Sequence, residues 1–141
     1  MNPSDHPGQF LALDVGQKRT GIARASVEAK IAEPLITVDT AKIQDNLREL
    51  IDEYKADGLV IGLPRSLNGN ETDQTIWVRQ WAEQIKTKVS IPIFWQDEAL
   101  STEQAMKLPQ FSKNVPDIDA RAAAVILDDF LKTPVEDRVS C

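Results

Sequence analysis

Five consecutive apolar residues, Leu59-Val-Ile-Gly-Leu63, constrain this chain more than any other feature. A strand sends alternate side chains to opposite faces, so a run with no polar alternate is hidden only if both faces are covered. Pro64 is expected to stop it. A strand covered on both sides implies layers of helix over a sheet, and the flanking segments must supply them. With 141 residues, one domain of this kind is expected.

The segments before the run read as three strands, at about 9–15, 20–26 and 31–38. Pro34 in the third suggests an edge position. A helix follows, with Ile43, Leu47, Leu50, Ile51 and Tyr54 at helical spacing, Asp39 or Thr40 as its cap and Gly58 as its closing glycine. After the run, Thr72 or Asp73 caps a second helix that carries Trp77, Val78, Trp81 and Ile85. A strand over about 89–96 comes next. Ser101-Thr-Glu-Gln104 is a capping box for a short helix ending by Pro109. Residues 109–117 read as a loop, and 117–131 as a last helix with an alanine face. This order predicts an α/β fold: a five-stranded mixed sheet, made of a three-stranded antiparallel meander plus parallel strands, flanked by helices on both faces. Residues 1–8 read as a disordered tail, 9–132 as the domain, and 133–141 as a polar tail.

Composition narrows the chemistry. His6 is the only histidine and Cys141 the only cysteine, both near the ends. A histidine-based metal site, a catalytic triad, a disulfide and a cysteine cluster are thereby disfavoured, and a reducing cytoplasm fits. No apolar run is long enough to cross a bilayer, and the polar N-terminus lacks the features of a signal peptide. A net charge of −6 and a pI of 4.8 argue against bulk electrostatic attraction to nucleic acid. They leave room for a carboxylate cluster beside a local basic patch.

Carboxylates stand where such sheets do chemistry, at the ends of strands. In Phe10-Leu-Ala-Leu-Asp-Val-Gly-Gln-Lys-Arg-Thr-Gly-Ile-Ala-Arg24, Asp14 ends an apolar strand, and a basic turn with Lys18 and Arg19 lies between Gly16 and Gly21. Asp97 and Glu98 end the last predicted strand; alternation sends one of them to the site and the other to a loop or cap. Asp119 sits in the first turn of the last helix. Each acid alone reads as a turn or helix cap. Together, from three separated elements, they suggest a site for a hard divalent cation such as Mg²⁺. Two such ions can activate water for phosphodiester cleavage.

Four pieces in order, Ala12-Leu-Asp-Val-Gly-Gln-Lys-Arg-Thr-Gly-Ile-Ala23, Ile61-Gly-Leu-Pro64 with Asn68-Gly69, Asp97-Glu-Ala-Leu-Ser-Thr102 with Gln104-Ala105, and Ile118-Asp119 with Ala122-Ala123, resemble the YqgF/RuvX family, the Holliday-junction-resolvase-like proteins of the RNase H fold. The likeness covers roughly residues 9–132. It implies a cytoplasmic nuclease that matures pre-16S rRNA and uses Mg²⁺ or Mn²⁺. By position, Asp14, Glu98 and Asp119 match the family's catalytic, metal-binding acids. The implied partner is nucleic acid: structured RNA, with branched DNA as the second option, bound by a monomer or homodimer. Lys18, Arg19, Arg65 and Lys113 are the candidate phosphate contacts. Two departures stand out: Ala99 replaces the family's arginine before the Ser/Thr pair, and the lysine usual before the last acid is missing, with Asp117 there and Lys113 further back. A non-catalytic nucleic-acid-binding or ribosome-assembly factor, a Holliday-junction resolvase and an actin-like phosphotransferase are the competing readings. The last normally needs two such domains to clamp a nucleotide.

Overall fold

A computed structural model describes residues 8–66, 68–99 and 118–141. Strands β1 (Gln9–Val15), β2 (Arg19–Ser26) and β3 (Glu33–Asp39) form the meander. A 3-10 turn (Thr40–Lys42) leads into α1 (Ile43–Tyr54), then come β4 (Gly58–Arg65), α2 (Asp73–Lys86), β5 (Ile93–Ala99), α3 (Ile118–Lys132), a second 3-10 turn (Val135–Asp137) and β6 (Val139–Ser140). The sheet order is β3-β2-β1-β4-β5-β6. β1, β4 and β5 are parallel neighbours, while β2, β3 and β6 join by antiparallel pairing. β3, with Pro34, is an edge strand as its proline requires.

The sheet has six strands, not five. The sixth comes from the segment expected to be a polar tail. Val139 and Ser140 pair with Trp95 and Phe94, and the Cys141 N–H donates to the Ile93 carbonyl at 2.8 Å. Arg138 fixes this segment by stacking its guanidinium 4.4 Å from the centroid of Phe130. A two-residue strand is too short to leave an alternation in the sequence. The expected tail at 1–8 lies outside the described residues except for Gly8, whose N–H donates to Asp57 Oδ2 at 3.0 Å. The short helix expected after Ser101 also lies outside them.

Alternation along each strand builds two cores. Leu11, Leu13, Val15, Ile22, Leu59, Ile61, Leu63 and Ile93 face α1 and α2, where they meet Ile43, Leu47, Val78, Ala82 and Ile85. Phe10, Ala12, Ala25 and Val60 face α3 and pack on Ile126, Leu127 and Phe130. The rings of Phe10, Phe94 and Phe130 meet at centroid distances of 5.3–6.3 Å, in tilted and edge geometries that aromatic quadrupoles favour. β4 is therefore central and covered on both faces, as its apolar run demands.

Several expected boundaries change: α1 is entered through the 3-10 turn with Lys42, not Asp39 or Thr40, at its N-cap, and β5 spans Ile93–Ala99 in place of about 89–96. Pro64 does not stop β4, which runs on to Arg65. The Leu59 N–H points toward β5, donating to Pro92 O, so alternation turns the Pro64 nitrogen toward β1. The β1 ladder has already ended there, at Leu13 opposite Ile61, and a missing donor costs nothing. Gly58 does not close α1: Lys55 takes the left-handed conformation (φ 52°) after the helix. Gly58 instead opens β4, where a Cβ would run into the Phe10 ring. α2 begins as expected at Thr72, whose hydroxyl accepts from the Thr75 N–H at 3.3 Å while the Thr75 side chain accepts from the Thr72 N–H.

Candidate active site

The α3 face of the sheet carries both Asp14 and Glu98. Phe10, Ala12 and Asp14 share that face of β1, and Phe94, Gln96 and Glu98 share it on β5. Asp97 points the other way, to the face of Trp95 and Leu63. This resolves the Asp97–Glu98 pair: Glu98 belongs to the site face, and Asp97 forms an ion pair with Arg65 Nε at 3.1 Å.

Glu98 is buried, at 6% exposure, and its Oε1 has no hydrogen-bond partner. Burial pushes its carboxyl up to about 9 from 4.5; a hydrogen bond with Asp129, and the charges of Asp129, Asp14 and Asp97, push the same way. A carboxylate in this setting is held protonated unless a cation joins it. Asp129 is a partner of Glu98 that sequence reasoning missed. The signal was present in the helical spacing of Asp119, Ala122, Ile126 and Asp129, which puts all four on one side of α3.

Asp119 reaches the same face by a backbone contact. Gly21, opposite Asp14 in the β1–β2 register, sits beneath the first turn of α3. A Cβ on Gly21 would overlap the Asp119 carbonyl and the Ala120 nitrogen, so only glycine lets the helix come down on the strand. Ala23, Ala123 and Ala124 continue the close approach. The Asp119 carboxylate is taken by Arg19, whose Nε lies 3.4 Å from Oδ2.

The basic turn is held by its backbone. The Gly16 N–H donates to Arg19 O at 2.9 Å, and the Thr40 N–H donates to Lys18 O at 2.9 Å. The Thr40 hydroxyl donates to Gly16 O at 2.7 Å and takes a bond from the buried Thr20 hydroxyl at 2.8 Å. Lys18 and Arg19 are thus exposed on a fixed hairpin end. Arg65 stands apart. It lies on the α2 face, between Asp97 and Glu71 (3.8 Å), and Glu71 is also gripped by Arg79 at 3.0 Å. Lys113 lies outside the described residues.

Among the described residues no three His, Cys, Asp or Glu side chains gather closely enough to hold a metal ion jointly. The donor set still suits a hard cation. Asp14 and Glu98 offer carboxylate oxygens on one face, and the orphaned Glu98 Oε1 is a buried acceptor with no donor. Among the described residues no helix is long and apolar enough to cross a membrane.

Comparisons with known proteins bear on the family and the fold. The sequence profile of the RuvX family, described as Holliday junction resolvase, matches residues 8–133. A relative from Roseiflexus sp. (strain RS-1), named "Putative pre-16S rRNA nuclease", is 36% identical over 136 residues, covering 91% of this chain and 96% of the relative. One of the same name from Rickettsia bellii (strain OSU 85-389) is 36% identical over 133 residues, covering 88% of this chain and 86% of the relative. Among solved structures, Thermus thermophilus RuvC aligns with a TM-score of 0.61 at 14% identity, covering 94% of this chain and 99% of that one. T. thermophilus RuvC in complex with Holliday junction substrate aligns with a TM-score of 0.59 at 13% identity, covering 95% and 99%. At such identities the likeness to RuvC is one of fold.

Proposed function

From membership of the RuvX family, to which this chain belongs, we propose that it is a metal-dependent nuclease acting on structured RNA, with the pre-16S rRNA named for its relatives as the favoured substrate class. The observation that carries the reading is Glu98: a buried carboxyl with an orphaned oxygen, on the same sheet face as Asp14. A buried acid of this kind costs stability unless it has a partner, and a fold keeps such a cost where function uses it.

Asp14 and Glu98 are the residues that would hold Mg²⁺ or Mn²⁺; Asp119, matched to the family by position, is not gathered with them into one three-carboxylate group. When bound, the ion supplies an activated water and neutralises charge on the phosphate. The protein's own part is orientation and exclusion of water. Glu98 is fixed by its strand and by Asp129, and Asp119 by the Gly21 contact. Lys18 and Arg19, both exposed, would meet the substrate backbone with their positive charge. Arg65, tied up on the far face, is assigned a structural role in place of the phosphate contact expected from sequence. A cytoplasmic location accords with the reading.

The test is cleavage of structured RNA and of branched DNA, with Mg²⁺ and with Mn²⁺, comparing wild type with Asp14→Asn and Glu98→Gln. Metal-dependent cleavage of RNA, lost in both variants, supports the proposal. Cleavage of branched DNA alone would move the chain to the resolvase reading. Binding of RNA without cleavage by any of the three would favour the non-catalytic factor.

A further inference from the structure

We propose that a cavity at the outer edge of β5, just past the end of β6, receives an unpaired nucleobase of the substrate, stacked on the Arg79 guanidinium. The inference rests on the nucleic-acid reading above and needs no metal. The cavity has a volume of about 250 Å³, and its walls include Leu63, Arg79, Trp95, Asp97, Asp137 and Val139. That lies just under the range of pockets for drug-sized ligands, about 300–1,000 Å³, and suits a single ring system. One wall is a stack of two planes. The Arg79 guanidinium carbon lies 5.5 Å from the centroid of the Trp95 ring. Arg79 also donates twice to Glu71, from Nε to Oε1 at 3.0 Å and from Nη2 to Oε2 at 3.2 Å. A guanidinium held at both prongs keeps its plane fixed. Its side chain is still 39% exposed, which leaves surface beyond the Trp95 contact for a third plane.

The cavity also offers hydrogen-bonding groups. β6 pairs only with Phe94 and Trp95, and no other strand among the described residues pairs with that edge of β5. The Cys141 N–H donates to the Ile93 carbonyl, so alternation turns the backbone N–H and carbonyl of Asp97 to the same edge, past the end of β6. They supply one donor and one acceptor, and the Asp97 and Asp137 carboxylates supply acceptors only. Guanine, with adjacent N–H donors and a carbonyl on its Watson–Crick edge, matches that set. Charge decides between a base and a phosphate. The guanidiniums of Arg65 and Arg79 stand among the carboxylates of Glu71, Asp97 and Asp137, and both already hold a carboxylate. A phosphate would meet net negative charge there, whereas a neutral ring would not. Asp97 directly precedes Glu98, so the bound base belongs to a nucleotide near the one at the mouth. Bases free to stack on arginine or aromatic planes are those of loops, bulges and ends, and a base inside a duplex cannot enter.

The probes are an RNA hairpin with guanines in its loop and a fully paired duplex of the same stem, bound by the full chain in chelator and read by fluorescence anisotropy. Arg79→Ala and Trp95→Leu are each expected to weaken hairpin binding about five-fold or more, the loss of one stacked base, and to leave duplex binding unchanged. Trp95→Phe, which keeps a ring behind the guanidinium, should restore most of the loss. In a hairpin series with single abasic sites, one member should bind wild type more weakly by the same factor and bind Arg79→Ala no differently from the intact hairpin. Free guanosine should shift the Trp95 indole N–H signal of wild type in NMR spectra, and uridine should shift it less, which keeps the test open if Trp95→Leu does not fold. Equal hairpin binding by wild type and Arg79→Ala, an equal loss on hairpin and duplex, or a Trp95 signal unmoved by guanosine overturns the base pocket and leaves the nuclease reading standing. If wild type binds neither hairpin nor duplex, the nuclease reading fails and the pocket's substrate with it.

Discussion

Replacing Glu98 with glutamine should make the metal-free protein more stable at neutral pH. The folded-state carboxyl titrates at about 9 against an ordinary 4.5. Between those values the folded state holds a proton that the unfolded chain has lost. Stability conferred by that proton is fully present below pH 4.5 and drains away as pH rises toward 9, by about 1.36 kcal/mol per pH unit. At pH 7 wild type has lost about 3 kcal/mol relative to acid conditions. A glutamine side chain does not titrate, and its amide can donate to Asp129, so the Glu98→Gln variant should escape the loss. For a chain of this size, about 3 kcal/mol corresponds to a Tm difference on the order of 10 °C. The assay is thermal or urea unfolding of both proteins in chelator, from pH 5 to pH 8. The two stability curves should nearly meet at pH 5 and diverge steadily above it. Mg²⁺ should then stabilise wild type by RT ln(1 + [metal]/Kd) and leave the variant nearly unmoved. Curves that run parallel across this range, or a variant less stable at pH 8 than wild type, would refute the placement of Glu98 as a buried acid with no cationic partner.

Other outcomes follow from the same geometry. Gly21→Ala should destabilise by more than about 3 kcal/mol, because its methyl group would lift the first turn of α3 off β2, and urea unfolding reads this directly. Lys18→Ala with Arg19→Ala should lower nucleic-acid affinity and flatten its dependence on salt, with a log–log slope reduced by about two; unchanged binding across several salt concentrations would exclude the turn from the interface. Thr72→Ala should cost about 1 kcal/mol of stability through the lost α2 cap, with no change in metal affinity by calorimetry.

Much of this molecule could be read from its residues because local signals and tertiary packing agree. The Leu59–Leu63 run announces a central strand, Thr72 announces the start of α2, and the Gly16–Gly21 pair frames a hairpin. The departures have a common cause, in that the deciding partner is distant in sequence. Whether Pro64 ends β4 depends on where β1 has already stopped. Whether Gly58 caps α1 or opens β4 depends on the Phe10 ring. β6 exists because β5 offers an open edge, not because Val139-Ser140 has any pattern of its own. At the site, alternation left Asp97 and Glu98 undecided until the faces of β5 were assigned by Phe94 and Trp95. Asp129 escaped notice because a helical acid one turn from the end looks like solvent-facing charge. The strand parity of Arg65, which puts it beside Asp97 and Glu71, could be read only once the faces of β4 were assigned.

The seat of α3 on β2 has a consequence for timing. Gly21 is synthesised before Asp119, and the two meet only once the helix has been made. At roughly 5–20 residues per second, on the order of 5–20 s of synthesis separate the two. The meander can pair in that interval, since its contacts are local, but the face carrying Asp14 lies bare until α3 is made. A nascent chain therefore carries Asp14 well before it carries the helix that covers that face.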